Sequence, residues 1–481
     1  MPVPRLLNIN ENKKLSVDLF SDLNADKLFS DKTIEVLRCV CDKTEILRRQ
    51  EVFSKLFDMN SFLKLEHCFD VLTRFSKSFD MFCSSQIIPE KFYLNRKLLL
   101  NYAEACVCLS DLNIDGTVFA EISTYFSRSE VLELIENINN DMLKVAEVFE
   151  KIDSFIITFS DKNWFTYDLV PNDCFGLISE YLKSMGLEPM EKRVLNVSFD
   201  PSLSDAFTKR FSAEIDFIKG IFSKYENIDY GEIKSYISQF DFYFNVYSIF
   251  KKAEKKNIPY CFPLISENKL CKADNLYDVS LLIKNTDNII PNNAFFTEAE
   301  PFWFLTGANG GGKTTYLRAV GLNLILFLAG CPIFATSAEI YPFDSIYSHF
   351  PKDERFDGIG RMDEEKNRVE EIFNSSENTV SFILFNETFS GTDDVLGYRY
   401  LLETAGRMKS EKHFGIYVTH FHQVTGTDFP ILSAVIDKFD ENRRTYRIMR
   451  NDTSESSYAA DILKKYRLDR DSLKERLNRN D

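Results

Sequence analysis

The spacing of hydrophobic residues changes character near the middle of the chain. Up to about residue 257, apolar residues recur every three to four positions, as they do along residues 131–149 and through most of 202–256. This spacing predicts amphipathic helices. Residues 202–256 contain few helix breakers, which is typical of long helices that form a lever or arm. Residues 193–199 alternate instead and predict a strand. The pattern therefore predicts a mostly α-helical domain over residues 1–257.

Short apolar runs alternate with helical segments from residue 258 to residue 451. Such runs, bounded by polar sequence, predict buried strands, and two of them joined by a turn predict an antiparallel hairpin at the sheet edge. Strands that alternate with helices predict an α/β sandwich with both sheet faces covered. The predicted strands are residues 302–305, 380–385 and 415–419, and the hairpin pairs 433–436 with 445–449. Residues 452–481 predict a C-terminal helical segment.

A glycine-rich loop lies between the strand 302–305 and a helix predicted over residues 315–328. Residues 307–314 fit the pattern G-x-x-x-x-G-K-[ST] without a mismatch, which is the phosphate-binding loop of nucleotide hydrolases. Its glycines let backbone N–H groups turn towards phosphates, at which the following helix also directs its positive end. Lys313 is predicted to reach the β- and γ-phosphates and Thr314 to bind Mg²⁺. The predicted nucleotide-binding residues are Gly307, Ala308, Asn309, Gly310, Gly311, Gly312, Lys313, Thr314 and Thr315.

Two polar residues follow the apolar strand 380–385. In nucleotide hydrolases this position usually carries an Asp that supports the metal and then a Glu that polarises the attacking water. Here the pair is Asn386 and Glu387. Asn386 is predicted to accept a hydrogen bond from a metal-bound water without adding negative charge, while Glu387 still orients a water. The pair favours a slow ATPase, with a site that binds but does not hydrolyse ATP as the alternative.

A third element, His420, comes directly after the strand 415–419. A histidine there is suited to sense the γ-phosphate or to hold the lytic water. The alternative is a hydrogen-bonded histidine that only ends the strand, and this reading is favoured for His422. We therefore predict Glu387, His420 and Lys313 as the catalytic residues.

A fourth element pairs glycines with a helix start near residue 360. Gly358 and Gly360 precede a helix whose apolar face includes Met362 and Val369. A helix N-terminus preceded by glycines predicts another phosphate contact. The acidic run within this helix is expected to form its solvated face.

Composition and charge limit the kinds of partner and the cellular compartment that this protein can have. The net charge of −15 argues against a protein that coats nucleic acid non-specifically, although a local basic patch is still compatible with DNA contact. No run of about 18 apolar residues occurs, so the sequence predicts no membrane span. The N-terminus lacks the apolar core of a signal peptide. The ten cysteines show no C-x-x-C spacing and predict reduced thiols. A cytoplasmic protein is expected.

Taken together, the four elements resemble the MutS family of DNA mismatch-repair ATPases. Residues 306–318, Thr-Gly-Ala-Asn-Gly-Gly-Gly-Lys-Thr-Thr-Tyr-Leu-Arg, are similar to the family motif TGPNMGGKSTYLR. Residues 386–392 look like the motif DEIGRGT, and residues 418–425 look like ATHFHELT. The resemblance implies an ABC-like P-loop NTPase, a mixed sheet flanked by helices, preceded by a helical lever domain. It also implies ATP and Mg²⁺ as cofactors and a homodimer with two composite ATP sites. Residues 457–463 resemble part of the family's C-terminal helical segment, so the segment 452–481 is expected to serve dimerisation.

The chain also departs from the family pattern. The segment by which one family subunit completes its partner's site lacks the usual Ser-Thr and carries Gly360-Arg361. We expect Arg361 to reach the partner's γ-phosphate. The chain begins at the lever domain, so the mismatch-reading domain is expected to be missing. The expected function is a slow, dimeric ATPase that acts as a DNA-associated clamp in repair or recombination, on duplex or branched DNA. The alternative is a nucleotide-gated interaction protein with little hydrolysis and no DNA role.

Overall fold

The structure of the protein is a computed structural model. It describes residues 4–9, 13–86, 88–152, 155–159, 167–171, 185, 201–284, 288–351, 361–390, 394–436 and 444–451. The strand predicted at 193–199, the C-terminal segment 452–481 and the glycines Gly358 and Gly360 lie outside these residues. Within them, no helix combines the length and apolar character that a membrane span requires.

The contacts divide the chain into two compact units. The first contains the described residues of 1–7 and 54–241, and the second contains those of 8–53 and 242–481. Residues 8–53 and 242–257, which the sequence analysis assigned to the helical domain, thus fall in the second unit. The boundaries 1–257, 258–451 and 452–481 stay a prediction.

The helices of the described residues follow the predicted apolar spacing. Val131–Phe149 lies within a longer helix, and the periodicity of 202–256 becomes three helices. The helices are α1 Val17–Asp22, α2 Asp31–Leu37, α3 Lys43–Leu56, α4 Met59–Ser84, α5 Ile88–Ser110, α6 Val118–Phe126, α7 Ser129–Ile152, α8 Pro201–Arg210, α9 Ser212–Phe222, α10 Tyr230–Glu254, α11 Lys313–Leu328, α12 Arg361–Ser376 and α13 Asp394–Ser410. Short 3₁₀ helices span Ala25–Lys27, Ser223–Tyr225, Val279–Lys284 and His422–Gly426.

The first unit is mostly helical, as predicted. Helix α4 begins at an N-cap, because the Asp58 side chain accepts a hydrogen bond from the Ser61 backbone N–H at 3.0 Å. It then buries one apolar stripe against α5. The unit also contains a two-stranded antiparallel sheet, β1 Phe155–Phe159 with β2 Tyr167–Pro171, which the sequence pattern did not predict. The stripe on α4 comprises Leu65, Cys68, Val71, Leu72 and Phe75.

The second unit contains a six-stranded sheet, in the order β12-β11-β6-β10-β9-β8. The five strands from β11 to β8 are parallel, and β12 pairs antiparallel with β11 at the edge. This confirms the predicted strands and the antiparallel pairing of the two edge strands, whose connection lies outside the described residues. The strands are β6 Phe302–Thr306, β8 Ser345–His349, β9 Ser381–Asn386, β10 Phe414–Val418, β11 Ile431–Ile436 and β12 Arg444–Arg450.

Helices cover both faces of this sheet. Ile383 and Phe385 of β9 belong to a buried cluster with Phe373 of α12 and Leu401 of α13. Leu384, between them in sequence, points to the opposite face, because side chains alternate along a strand. On that face α11 packs so closely that a Cβ on its Gly321 would lie 2.6 Å from a Leu384 methyl group. Helices on both faces explain why every residue of β6 and β10 is buried.

A second sheet of four strands, in the order β3-β7-β4-β5, also belongs to this unit. Its strands are β3 Leu264–Ile265, β4 Leu270–Leu276, β5 Asn292–Thr297 and β7 Ser337–Ile340. The sequence analysis did not predict this sheet, because its short strands mix polar and apolar residues without a continuous buried run. The second unit therefore has the predicted mixed α/β structure, and it contains two sheets where the sequence predicted one.

Candidate functional site

The glycine-rich loop joins β6 to α11 in the predicted order. Gly307, Gly310 and Gly312 have φ angles of 119°, 73° and 95°, in the left-handed region that favours glycine. Gly311 is needed for space, since a Cβ there would lie 2.9 Å from both the Ala308 carbonyl oxygen and the Ala434 methyl group. The loop conformation thus depends on the glycines that the motif supplies.

Lys313 turns its side chain back into this loop. Its Nζ donates to the Gly307 carbonyl oxygen at 2.7 Å and lies 3.3 Å from Oδ1 of Asn309. Burial lowers the pKa of Lys313, while the Glu387 carboxylate raises it and Arg444 lowers it further. The Lys313 ammonium thus lies inside the loop, where phosphates would bind, and is close enough to Glu387 for the two charges to attract each other.

Thr314 and Asn386 come together at the next step of the site. Oγ1 of Thr314 donates a hydrogen bond to Oδ1 of Asn386 at 3.2 Å. Thr314 lies in the first turn of α11 and Asn386 is the last residue of β9, so residues 72 positions apart meet at one sheet edge. Mg²⁺ takes oxygen ligands and keeps several waters, so a hydroxyl and an amide oxygen can serve it, but neither brings the negative charge of the carboxylates that usually hold this ion.

Glu387 begins a strained turn after β9. Its φ angle is 51° and that of Phe389 is 63°, a conformation that residues other than glycine adopt only at a cost. The Glu387 N–H donates to the Val418 carbonyl oxygen at 2.9 Å. This bond ties the start of the turn to the end of β10, and Glu387 is only half-buried.

Three buried side chains hold the rest of this turn. Oγ1 of Thr388 lies 2.9 Å from Nδ1 of His349, and the Tyr417 hydroxyl donates to the Thr388 carbonyl oxygen at 2.8 Å. The Phe389 N–H donates to Oε2 of Glu365 at 2.7 Å. The prediction that the acidic run of α12 forms a solvated face is wrong for Glu365, which is only 7% exposed. Its spacing from the apolar Met362, Val369 and Ile372 (three, four and seven positions) was the signal for an inward position.

The histidines follow β10 at the same edge of the sheet. The Thr419 N–H donates to the Leu305 carbonyl oxygen at 3.0 Å, and His420 is half-buried with its ring 4.7 Å from that of Phe421. His422 is exposed. Although His422 keeps much of its surface exposed, its pKa is lowered, first because neighbouring groups partly desolvate the ring and then by the charges of His420 and Lys313. The carboxyl ends of β6, β9 and β10 thus bring Lys313, Glu387 and the histidines to one edge, where open α/β sheets bind ligands.

Strand β12 lies beside the glycine-rich loop 307–314, a contact that was not predicted from the sequence. A Cβ on Gly312 would lie 3.4 Å from the ring of Tyr446, which has a φ angle of 55°. Asn292 fixes this strand, donating to the Tyr446 carbonyl oxygen at 3.0 Å and accepting from the Ile448 N–H at 2.7 Å. Arg361 is the first residue of α12, and its side chain lies outside the described part. Among the described residues, no cluster of His, Cys, Asp and Glu is arranged to hold a metal ion.

Comparison with known proteins matches this region to one family. The model of MutS domain V matches residues 303–463. A protein named DNA mismatch repair protein MutS from Lactobacillus delbrueckii subsp. bulgaricus is 27% identical over 189 residues, which is 37% of this chain and 21% of the relative. The protein of that name from Chlorobium limicola is 30% identical, over 34% of this chain and 19% of the relative. DNA mismatch repair protein msh-2 of Neurospora crassa is 29% identical, over 30% and 16%. The chain thus aligns with about a fifth of the length of these relatives.

Proposed function

The chain is a MutS-family protein through its C-terminal region, and we propose that it is a P-loop NTPase that binds ATP with Mg²⁺ and hydrolyses it slowly. The observation that carries the proposal is the convergence of Lys313, the Thr314–Asn386 pair and Glu387 at the carboxyl edge of one parallel sheet. These groups come from different elements, so their convergence adds to the match of the loop itself.

Each residue has a distinct role in the proposed site. The N–H groups of residues 307–315 and the Lys313 ammonium bind the phosphates, with Lys313 leaving its contact with the Gly307 carbonyl to do so. Thr314 and Asn386 hold Mg²⁺, which supplies charge neutralisation of the phosphate oxygens when bound. Glu387 orients and deprotonates the attacking water, and His420 contacts the γ-phosphate or that water.

The identity of Asn386 is the reason to propose slow turnover. A carboxylate in this position attracts Mg²⁺ by its charge, whereas the Asn386 amide offers only a dipole. The amide is also engaged with Thr314 at 3.2 Å, so metal binding must compete with an existing hydrogen bond. Lower metal affinity reduces the fraction of sites that are ready for hydrolysis, without removing Glu387.

A dimeric, DNA-associated clamp is the second part of the proposal. It rests on the relatives, which carry the name of DNA mismatch repair proteins. In this proposal two copies complete each other's ATP site, with Arg361 at the start of α12 placing its charge on the partner's γ-phosphate. The DNA would be duplex or branched.

A nucleotide-gated interaction protein is the second candidate function. Asn386 in the metal position favours it, as does the net charge of −15, which opposes non-specific attraction to DNA. In that case ATP binding alone would switch the protein between partners, with little hydrolysis and no role for DNA.

The decisive experiment measures ATP turnover of the wild type and of Glu387→Gln, each alone and with duplex, mismatched or junction DNA. We expect slow wild-type turnover and a loss of at least about tenfold in the variant, because it removes the base and keeps the shape. The control is Glu403→Gln, which alters an exposed carboxylate paired with Arg399 on α13 and should change nothing. ATP binding without turnover under every condition would favour the second candidate. A salt-dependent rise in turnover with DNA would support the clamp.

A further inference from the structure

One peptide group in the strained turn after β9 is held at both of its ends. The carbonyl oxygen of Thr388 accepts from the Tyr417 hydroxyl at 2.8 Å, and the N–H of Phe389 donates to Glu365 at 2.7 Å. These two atoms belong to the same planar unit. The two hydrogen bonds lie at opposite edges of this plane and together oppose its rotation, which would change the left-handed φ of Phe389.

The turn needs such support because its conformation is intrinsically unfavourable. Glu387 and Phe389 both have positive φ angles, and a strained backbone persists only where surrounding contacts hold it. Thr388 and Phe389 are buried at 1% and 2% exposure, so water cannot replace a lost partner. If this peptide rotated, ψ of Thr388 and φ of Phe389 would change, and Phe389 could relax towards negative φ. The turn that fixes Glu387 would then lose its support on that side, and the Glu387 side chain could shift.

Of the two side chains that hold this peptide, Glu365 is the carboxylate and Tyr417 is the hydroxyl. Hydrogen bonds to carboxylates are on average stronger than those to neutral acceptors, and the Glu365 carboxylate accepts from the Phe389 N–H at 2.7 Å. Burial raises the pKa of the Tyr417 hydroxyl, and the Glu365 carboxylate raises it further. The hydroxyl therefore remains a donor, and the two groups that hold the peptide lie in each other's field.

We infer that Glu365 is a positioning residue for Glu387, which it orients through the Thr388–Phe389 peptide. The inference rests on the proposed ATPase function, in which Glu387 acts on water. It adds a link between two parts of the site, since Glu365 lies four residues after Arg361 on α12. A shift of α12 along its axis would move the carboxylate and release or tighten the turn.

The test compares Glu365→Ala with Glu365→Gln in the full-length chain, with Glu364→Ala as the matched control. Glu364 is adjacent on the same helix and its described partner is Arg368, at 3.0 Å. The alanine variant loses the acceptor, whereas the glutamine amide oxygen still accepts from the Phe389 N–H. We expect kcat to fall between about tenfold and a hundredfold in Glu365→Ala, with ATP affinity within about twofold. Glu365→Gln should recover most of the rate, and Glu364→Ala should match the wild type.

Hydrogen exchange supplies a readout that does not depend on turnover. The Phe389 amide should exchange at least about tenfold faster in Glu365→Ala than in the wild type or Glu364→Ala, because a buried bond is replaced by an open one. If Glu365→Ala does not fold, Tyr417→Phe removes the bond at the other end of the same peptide and should lower kcat in the same way.

The failures of the two proposals are distinguishable. A wild type that binds ATP without turnover under any condition overturns the proposed ATPase and this inference with it. An active wild type with an equally active Glu365→Ala overturns the inference alone. So does a Glu365→Gln variant as impaired as Glu365→Ala, since the acceptor would then not be the feature that matters.

Discussion

Replacing Arg49 by Met should destabilise the second unit far more than the same change at its neighbour Arg48. Arg49 is fully buried, at 0% side-chain exposure. Its Nε donates to Glu45 at 2.7 Å, and its remaining nitrogens donate to the carbonyl oxygens of Ala329 at 3.0 Å and Asn8 at 3.3 Å. Ala329 is the C-cap of α11, where a cation also meets the negative end of the helix dipole.

The expected cost follows from what the substitution leaves behind. Removing one partner of a buried ion pair typically costs 3–5 kcal/mol, because the other charge stays buried. Glu45 retains Arg48 at 3.3 Å and the Asn8 N–H at 2.9 Å, so its charge is not left wholly uncompensated. We therefore expect the low end, about 3 kcal/mol, for Arg49→Met.

Arg48→Met is the matched control on the same helix. Arg48 contacts the same carboxylate but keeps 20% of its side chain exposed, so water solvates it in either state and the loss should stay below about 1 kcal/mol. Urea unfolding followed by circular dichroism and tryptophan fluorescence gives both values, and both tryptophans, Trp164 and Trp303, are retained in each variant. Equal losses in the two variants, or a loss under about 1 kcal/mol for Arg49→Met, would refute this reasoning.

Three further predictions concern the metal site, the loop and pH. Asn386→Asp restores a charge beside Thr314, so ATP binding should saturate at roughly tenfold lower Mg²⁺ in a fluorescence titration. Gly311→Ala places a Cβ 2.9 Å from a loop carbonyl and should weaken ATP binding at least about tenfold, whereas Gly406→Ala, with no atom within 4 Å of its Cβ, should not. Burial opposes the ionisation of Asp141, but hydrogen bonds from two lysines and a tyrosine outweigh it and lower its pKa to about 2. The first unit should therefore lose about 2 kcal/mol between pH 4 and pH 2, as acid unfolding would measure.

Each of these outcomes has a clear opposite. An unchanged Mg²⁺ requirement in Asn386→Asp would place the metal elsewhere. ATP affinity unaffected by Gly311→Ala would mean that the loop does not approach the phosphates closely. Asp141→Asn should abolish the pH dependence assigned to this group, and an unchanged acid transition would show that other carboxylates control it.

The elements with a strong local pattern could be predicted from the sequence. Strands β6, β9 and β10 are continuous apolar runs because helices cover both of their faces, and this burial leaves its mark in the residues themselves. The loop 307–314 was recognisable for a related reason, since its φ angles and close contacts admit only glycine at several positions. The roles of Lys313, Thr314, Asn386, Glu387, His420 and Arg361 remain predictions.

Only the tertiary structure decided which side chains hold the site in place. Glu365 looked like part of a solvated acidic face, and no local signal connects it with a backbone N–H 24 residues away. His349, Tyr417 and Tyr446 lie far along the chain from the residues that they contact, so these contacts depend on strand order and register. The four-stranded sheet was missed for the same reason, because its pairing joins short mixed strands over long separations. The local sequence thus determines whether a segment forms a helix, a strand or a glycine-rich loop. Long-range packing determines which buried polar groups of different segments form hydrogen bonds with each other.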